Sequence, residues 1–80
     1  MSLTPRLRSN WIGDNYTTYG KIVGKLQAYL NSGPYNAGAV DNKWGSMTKN
    51  AVKDFQYDAG LSVDGVVGTR TWGALVKYGV

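Results

Sequence analysis

The chain has no cysteine, no histidine and no glutamate, and only two prolines and one phenylalanine in 80 residues. Without cysteine there is no disulfide and no thiol nucleophile. Without cysteine and histidine there is no Cys/His zinc site and no imidazole acid or base. All five acids are aspartates, Asp14, Asp41, Asp54, Asp58 and Asp64. Two of them fall at matching places in a repeat, so a paired-carboxylate hydrolase would have to draw on the rest. No metal site and no cofactor is expected. No stretch approaches the roughly 18 apolar residues of a membrane span. Residues 1–6 lack the apolar core of a signal peptide, so these residues are not expected to direct export by themselves. Runs of like charge are also missing. Nine Lys and Arg against five Asp give a net charge of +4, but apart from Arg6 and Arg8 the cations are scattered, at Lys21, Lys25, Lys43, Lys49, Lys53, Arg70 and Lys77. That balance favours anionic partners without marking a nucleic-acid tail.

What is present is a phrase stated twice. Val23-x-x-Leu26-Gln27 is answered by Val52-x-x-Phe55-Gln56, and the stretch from Asp41 to Val52 is answered by Asp64 to Leu75 in the pattern D-[N/G]-x-x-G-[S/T]-x-T-x-x-A-[V/L]. The turns repeat at an offset of 23 and the helical phrases at 29, so the first unit carries six extra residues within 31–40. An internal repeat of this kind predicts two similar supersecondary units sharing one core. A chain this short buries about 60–65% of its unfolded surface, so each large apolar side chain matters.

The stretch from Ala51 to Leu75 resembles the peptidoglycan-binding domain family, which accompanies bacterial and phage cell-wall hydrolases. Its hallmarks A-V-x-x-F-Q, G-L-x-x-D-G and G-x-x-T-x-x-A-L occur in order at 51–56, 60–65 and 68–75. With the weaker first copy the resemblance covers about residues 20–78. The departures are Asn42, where the family usually has glycine, and the longer loop before it. The resemblance implies an all-α three-helix bundle and a non-catalytic wall-binding module. The implied partner is an amidase, muramidase, transglycosylase or peptidase, and the implied location is outside the cell at the wall, reached either as a piece of a longer chain or as a phage-encoded product released at lysis.

Residues 1–18 read as an N-terminal arm with Trp11, Ile12 and Tyr16 as docking points, and 19–80 as the domain. Helical spacing of Ile22, Val23, Leu26, Tyr29 and Leu30 predicts a helix over 19–31, capped by Thr17 or Thr18 and stopped by Gly33-Pro34. Ser46 opens a second helix that buries Thr48, Ala51, Val52, Phe55 and Ala59 and ends at Gly60. Thr69 opens a third, with Trp72, Leu75 and Val76 inward and Gly79 at its end. Gly65, and Asn42 as the next most tolerant residue, are expected at positive φ.

Asp41 and Asp64 read as turn-makers accepting backbone N–H bonds near the helix starts. Thr48 and Thr71 are expected to bond to the same turns, and Gln27 and Gln56 to loop backbone. Gly45, Gly68, Phe55, Trp72 and Leu75 complete the structural motif. The surplus of aromatics, Tyr19, Tyr29 and Tyr78 among them, points to a binding surface. Trp44 leads, because its counterpart in the second unit is only Val67. Tyr35 lies in the insertion and Tyr57 on the polar side of the second helix. With Asn42, Lys43 and Arg70 they form the candidate ligand set for a glycan strand or stem peptide. Alternatives are a prodomain-like interaction module, disfavoured by the missing cysteine thiolate, and a small basic nucleic-acid binder, disfavoured by a third helix offering only Arg70 and Lys77 as cations.

Overall fold

The computed structural model describes residues 11–77, with side chains through Leu75. The Gly79 stop, Tyr78 and the Arg6/Arg8 pair lie outside the described residues, as does the side chain of Val76, expected inward. Three helices, α1 (Lys21–Ser32), α2 (Ser46–Asp58) and α3 (Thr69–Lys77), make an all-α bundle. Among the described residues the only β pairing consists of isolated bridges. No described helix is long and apolar enough to cross a membrane.

The repeat pattern becomes the core directly. α1 buries Val23, Leu26 and Leu30, α2 buries Ala51, Val52 and Phe55, and α3 contributes Trp72 and Leu75. Buried among them are Gln27, Gln56, Thr48 and Thr71, the matched polar residues of the two units. Ala59 is only half-buried, because α2 has already ended: Gly60 at φ 74 carries a bond from its N–H to Tyr57 O, and Leu61 N–H reaches Gln56 O. That is the double-bonded glycine stop of a helix C-terminus.

The threonine caps expected for α1 do not form. Gly20, at φ 120, stands at the N-cap and no side chain caps the helix. Thr18 is used otherwise, its carbonyl accepting Trp44 N–H at 2.8 Å while Gly20 N–H donates to Asn42 O at 2.8 Å. α1 therefore starts at Lys21, two residues later than the spacing predicts.

The segment before α1 is a strap across both turns. Residues 13–16 fold it back on itself, with Tyr16 N–H bonded to Gly13 O and Thr17 N–H to Trp11 O. Ile12 and Val67 exchange both backbone hydrogen bonds, at 3.2 and 2.8 Å, and Ile12 is 0% exposed. Among the proposed docking points, Ile12 is thus a full member of the core, whereas Trp11 and Tyr16 meet edge to face at 5.2 Å on the surface.

Candidate functional site

The two Asp turns are built from the same polar knot. In the second unit Gln56 Nε2 faces Asp64 Oδ1, Val66 O and Thr71 Oγ1 at 2.9–3.0 Å. Its Oε1 accepts from Asp64 N and Gly65 N at 3.2 and 3.0 Å. In the first unit Gln27 Nε2 meets Asp41 Oδ1, Lys43 O and Thr48 Oγ1 at 2.9–3.1 Å, and Oε1 accepts from Asn42 N. Each Asp Oδ1 also accepts the N–H two residues on, from Lys43 and from Val66. Both Gln amides are thus fully engaged by the turns, as a buried amide requires, while Thr48 Oγ1 also reaches Ala37 O in the preceding loop. Among the described residues no buried side-chain nitrogen or oxygen lacks a partner. The Gln27 amide, followed by the Lys43 N–H, holds the Asp41 carboxyl below its ordinary range.

The two turns differ in one steric detail. Asn42 takes the left-handed conformation at φ 63 and Gly65 at φ 72. The Asn42 side chain lies over Gly24, where an added Cβ would stand 1.9 Å from its Oδ1. In the second unit the helical counterpart of Gly24 is Lys53, and the residue beneath it is Gly65, whose missing Cβ leaves room for the Lys49 and Lys53 stems. Bulk sits on the turn in one copy and on the helix in the other.

The candidate ligand residues are not gathered into one place. Trp44 is half-buried, its indole N–H donating to Asp14 Oδ1 at 2.8 Å, while Lys49 Nζ reaches Asp14 Oδ2 at 2.7 Å. The Lys49 ammonium and then the Trp44 indole hold the Asp14 carboxyl low. Lys43 lines a groove of about 230 Å³ over the first Asp turn, and Arg70 lines one of about 240 Å³ over the second, where the Trp11 ring lies on Gly68. These two grooves are repeat-related. Tyr57 stands 77% exposed on α2.

Tyr35 belongs to a third groove, of about 300 Å³, between the C-terminal ends of α1 and α2. Its hydroxyl donates to Asp58 Oδ2 at 2.8 Å, and the Phe55 ring meets Tyr29 and Tyr35 edge to face at 6.2 and 5.7 Å. Asn31 ties this loop down, accepting from Ala37 N and donating to Gly38 O. Pro34 and Asp58 line this groove and were not among the candidates read from the sequence, and Tyr29 was counted there only among the surplus aromatics. The available signal was the insertion itself, which the second unit does without. Among the described residues no cluster of three His, Cys, Asp or Glu side chains could hold a metal ion.

A duplicated helical unit, closed by Gln–Asp–Thr knots and presenting shallow grooves around its turns, defines a small surface-binding module. The chain belongs to the peptidoglycan binding domain family, whose model matches residues 19–75. It is 40% identical over 53 residues to N-acetylmuramoyl-L-alanine amidase CwlM of Mycobacterium tuberculosis, covering 66% of this chain and 13% of the amidase. It is 44% identical over 57 residues to an uncharacterized protein from the bpoA1 3' region of Kitasatospora aureofaciens, covering 70% of this chain and 48% of that protein. Its fold matches the crystal structure of a peptidoglycan-binding protein from Clostridioides difficile in complex with glutamine hydroxamate. The TM-score is 0.74 at 40% identity, over 85% of this chain and 41% of that one. The chain thus spans less than half the length of each of these relatives.

Proposed function

We propose that the chain is a non-catalytic module that holds a cell-wall hydrolase on peptidoglycan, with the hydrolase on the same polypeptide or a partner. The observation that carries this reading is the use of the polar motif. Gln27, Asp41 and Thr48, like Gln56, Asp64 and Thr71, bond to one another and to the turn backbone. A general acid/base pair needs groups aimed at a substrate; here the Gln and Thr side chains are buried, and the exposed Asp41 and Asp64 each have Oδ1 engaged by a Gln amide and a turn N–H. The grooves that face outward are unlike one another, one walled by Tyr29, Tyr35 and Phe55, one carrying Lys43 and one carrying Trp11 and Arg70, and such rings and cations suit contact with sugar rings and stem-peptide carboxylates. Modest affinity suffices, because a tethered enzyme gains from the raised effective concentration of an insoluble substrate. The nucleic-acid alternative is weakened by α3, whose Trp72 is 2% exposed and serves the core.

Co-sedimentation of the chain with insoluble sacculi at low and moderate salt, with duplex DNA binding run in parallel, tests the proposal. Retention on sacculi that persists at moderate salt, reduced by Lys43→Ala, Arg70→Ala and Tyr57→Ala and by Trp44→Phe, is the expected result. Absence of retention with salt-sensitive DNA binding would overturn it.

A further inference from the structure

The groove at the ends of α1 and α2 is built unlike the two over the Asp turns. Its walls are Tyr29, Tyr35 and Phe55, with Pro34 at one side and Asp58 as the only ionisable acid or base other than the tyrosines in its lining. In a chain of net charge +4, this groove is negative. Asp58 Oδ2 is held by the Tyr35 hydroxyl, and Oδ1 has no hydrogen-bond partner among the described residues. Among those residues the only salt bridge joins Lys49 to Asp14, so Asp58 has no cation of its own.

Its position is also costly to the fold. Asp58 is the last residue of α2, at the negative end of the helix dipole, and the last turn carries no basic residue. Asp54, one turn earlier, is also exposed. Like charges at i and i+4 and an anion at a helix C-terminus both disfavour the helix. Each of those effects reverses for a bound cation. The tyrosine that orients the carboxylate comes from the insertion, which the second unit shows to be dispensable for building the Asp turn.

We infer that this groove binds a primary ammonium group carried on a short aliphatic stem. Resting on the wall-binding reading above, its occupant is the unblocked side-chain amine of the diamino acid in an uncrosslinked stem peptide. The ammonium takes Asp58 Oδ1 in a charge-assisted hydrogen bond. The methylenes lie against the Tyr29, Tyr35 and Phe55 edges and Pro34. A carboxylate or phosphate is repelled from the same place. A module with this preference favours wall whose amines have not been consumed by cross-linking.

The test uses the full chain, with the tripeptide Ala-γ-Glu-Lys and its Nε-acetylated form as probes in an amide NMR titration. Sacculi with free or chemically acetylated amines are compared in sedimentation. Expected are shifts at Ser32, Asp58 and Ala59 with the free-amine peptide, and a loss of affinity of about tenfold or more on acetylation or in Asp58→Asn. Tyr35→Phe should show a smaller loss. Asp58→Asn should melt no lower than the parent, because it removes an anion from a helix C-terminus. Equal affinity for both peptides, or sacculus retention indifferent to acetylation and to Asp58→Asn, would overturn the inference and leave wall binding standing. Peptide shifts without retention on any sacculus would support the groove and remove the wall-binding reading. Neither shifts nor retention would remove both.

Discussion

Replacing Gln56 by glutamate keeps the shape of the side chain and exchanges one donor group for an acceptor. In the native knot the amide nitrogen faces three acceptors, Asp64 Oδ1, Val66 O and Thr71 Oγ1, and the amide oxygen faces two N–H groups. A carboxylate still accepts from the Asp64 and Gly65 N–H groups. Its other oxygen, however, stands about 3 Å from three oxygens, one of them charged. A buried acceptor deprived of its donor costs about 1–3 kcal/mol. The Thr71 hydroxyl can turn to donate to the new carboxylate, which offsets part of the loss, and repulsion from Asp64 adds to it. A working figure is about 3 kcal/mol, a large part of the stability of so small a domain. In a domain of this size that lowers Tm by about 12–24 °C.

The sign of the pH dependence is fixed by the same geometry. Neutral glutamic acid restores one donor, so the folded pKa of the introduced group lies above its unfolded value of about 4.3. The destabilisation is therefore small below that value and grows as pH rises through the higher folded pKa. Thermal melting of Gln56→Glu and parent by circular dichroism, at pH 7 and near pH 4, reads both quantities. Equal melting temperatures at pH 7, or a gap that does not narrow on acidification, would refute the description of the knot.

Gly24→Ala should destabilise by about 1–3 kcal/mol through collision with Asn42; adding Asn42→Gly should restore at least the parent Tm, and a double variant no better than the single would dismiss the steric trade. Ile12→Ala should cost about 2–5 kcal/mol in urea unfolding, since the side chain is fully buried; a cost under 1 kcal/mol would make the strap ornamental. The Lys49 ammonium holds the Asp14 carboxyl, and the Gln27 amide the Asp41 carboxyl, below the usual carboxylate range, so the stability they confer is present above that range and lost as pH falls through the lower folded values. Asp41→Asn, which keeps an acceptor and removes the charge, should flatten the melting profile on the acid side of the ordinary carboxylate range, and an unchanged slope would count against the Gln27–Asp41 bond.

The repeat made much of the fold legible. Helical periodicity located the three helices, and the matched Asp, Thr and Gln residues announced the knots because two copies needed the same polar groups at the same spacing. Positive φ at Asn42 followed from its register with Gly65. The start of α1 was misplaced because Thr18 bonds to Trp44, a partner 26 residues away that no local capping rule contains. Ile12 looked like a docking point because a single apolar residue in a polar stretch has no periodicity. Trp44 and Tyr35 were identified as aromatics the repeat does not require, but their partners Asp14 and Asp58 are 30 and 23 residues distant. The ligand set is dispersed for that reason, with Tyr35, Lys43 and Arg70 in three different grooves and Trp44, Asn42 and Tyr57 lining none of them: composition names candidates, and only the packing of loops decides which of them meet.

The strap that joins Ile12 to Val67 and Thr18 to Trp44 also bears on cooperativity. Two stacked repeats would ordinarily melt as units with their own stabilities and a nearest-neighbour coupling. Here seven residues of chain are bonded to the exit of both turns. A fluctuation that frees the strap exposes the Ile12 cavity, the Val67 amide and the Trp44 amide together. Those amides should exchange with solvent at one shared rate set by the strap's release, so the duplicated units open as a single body.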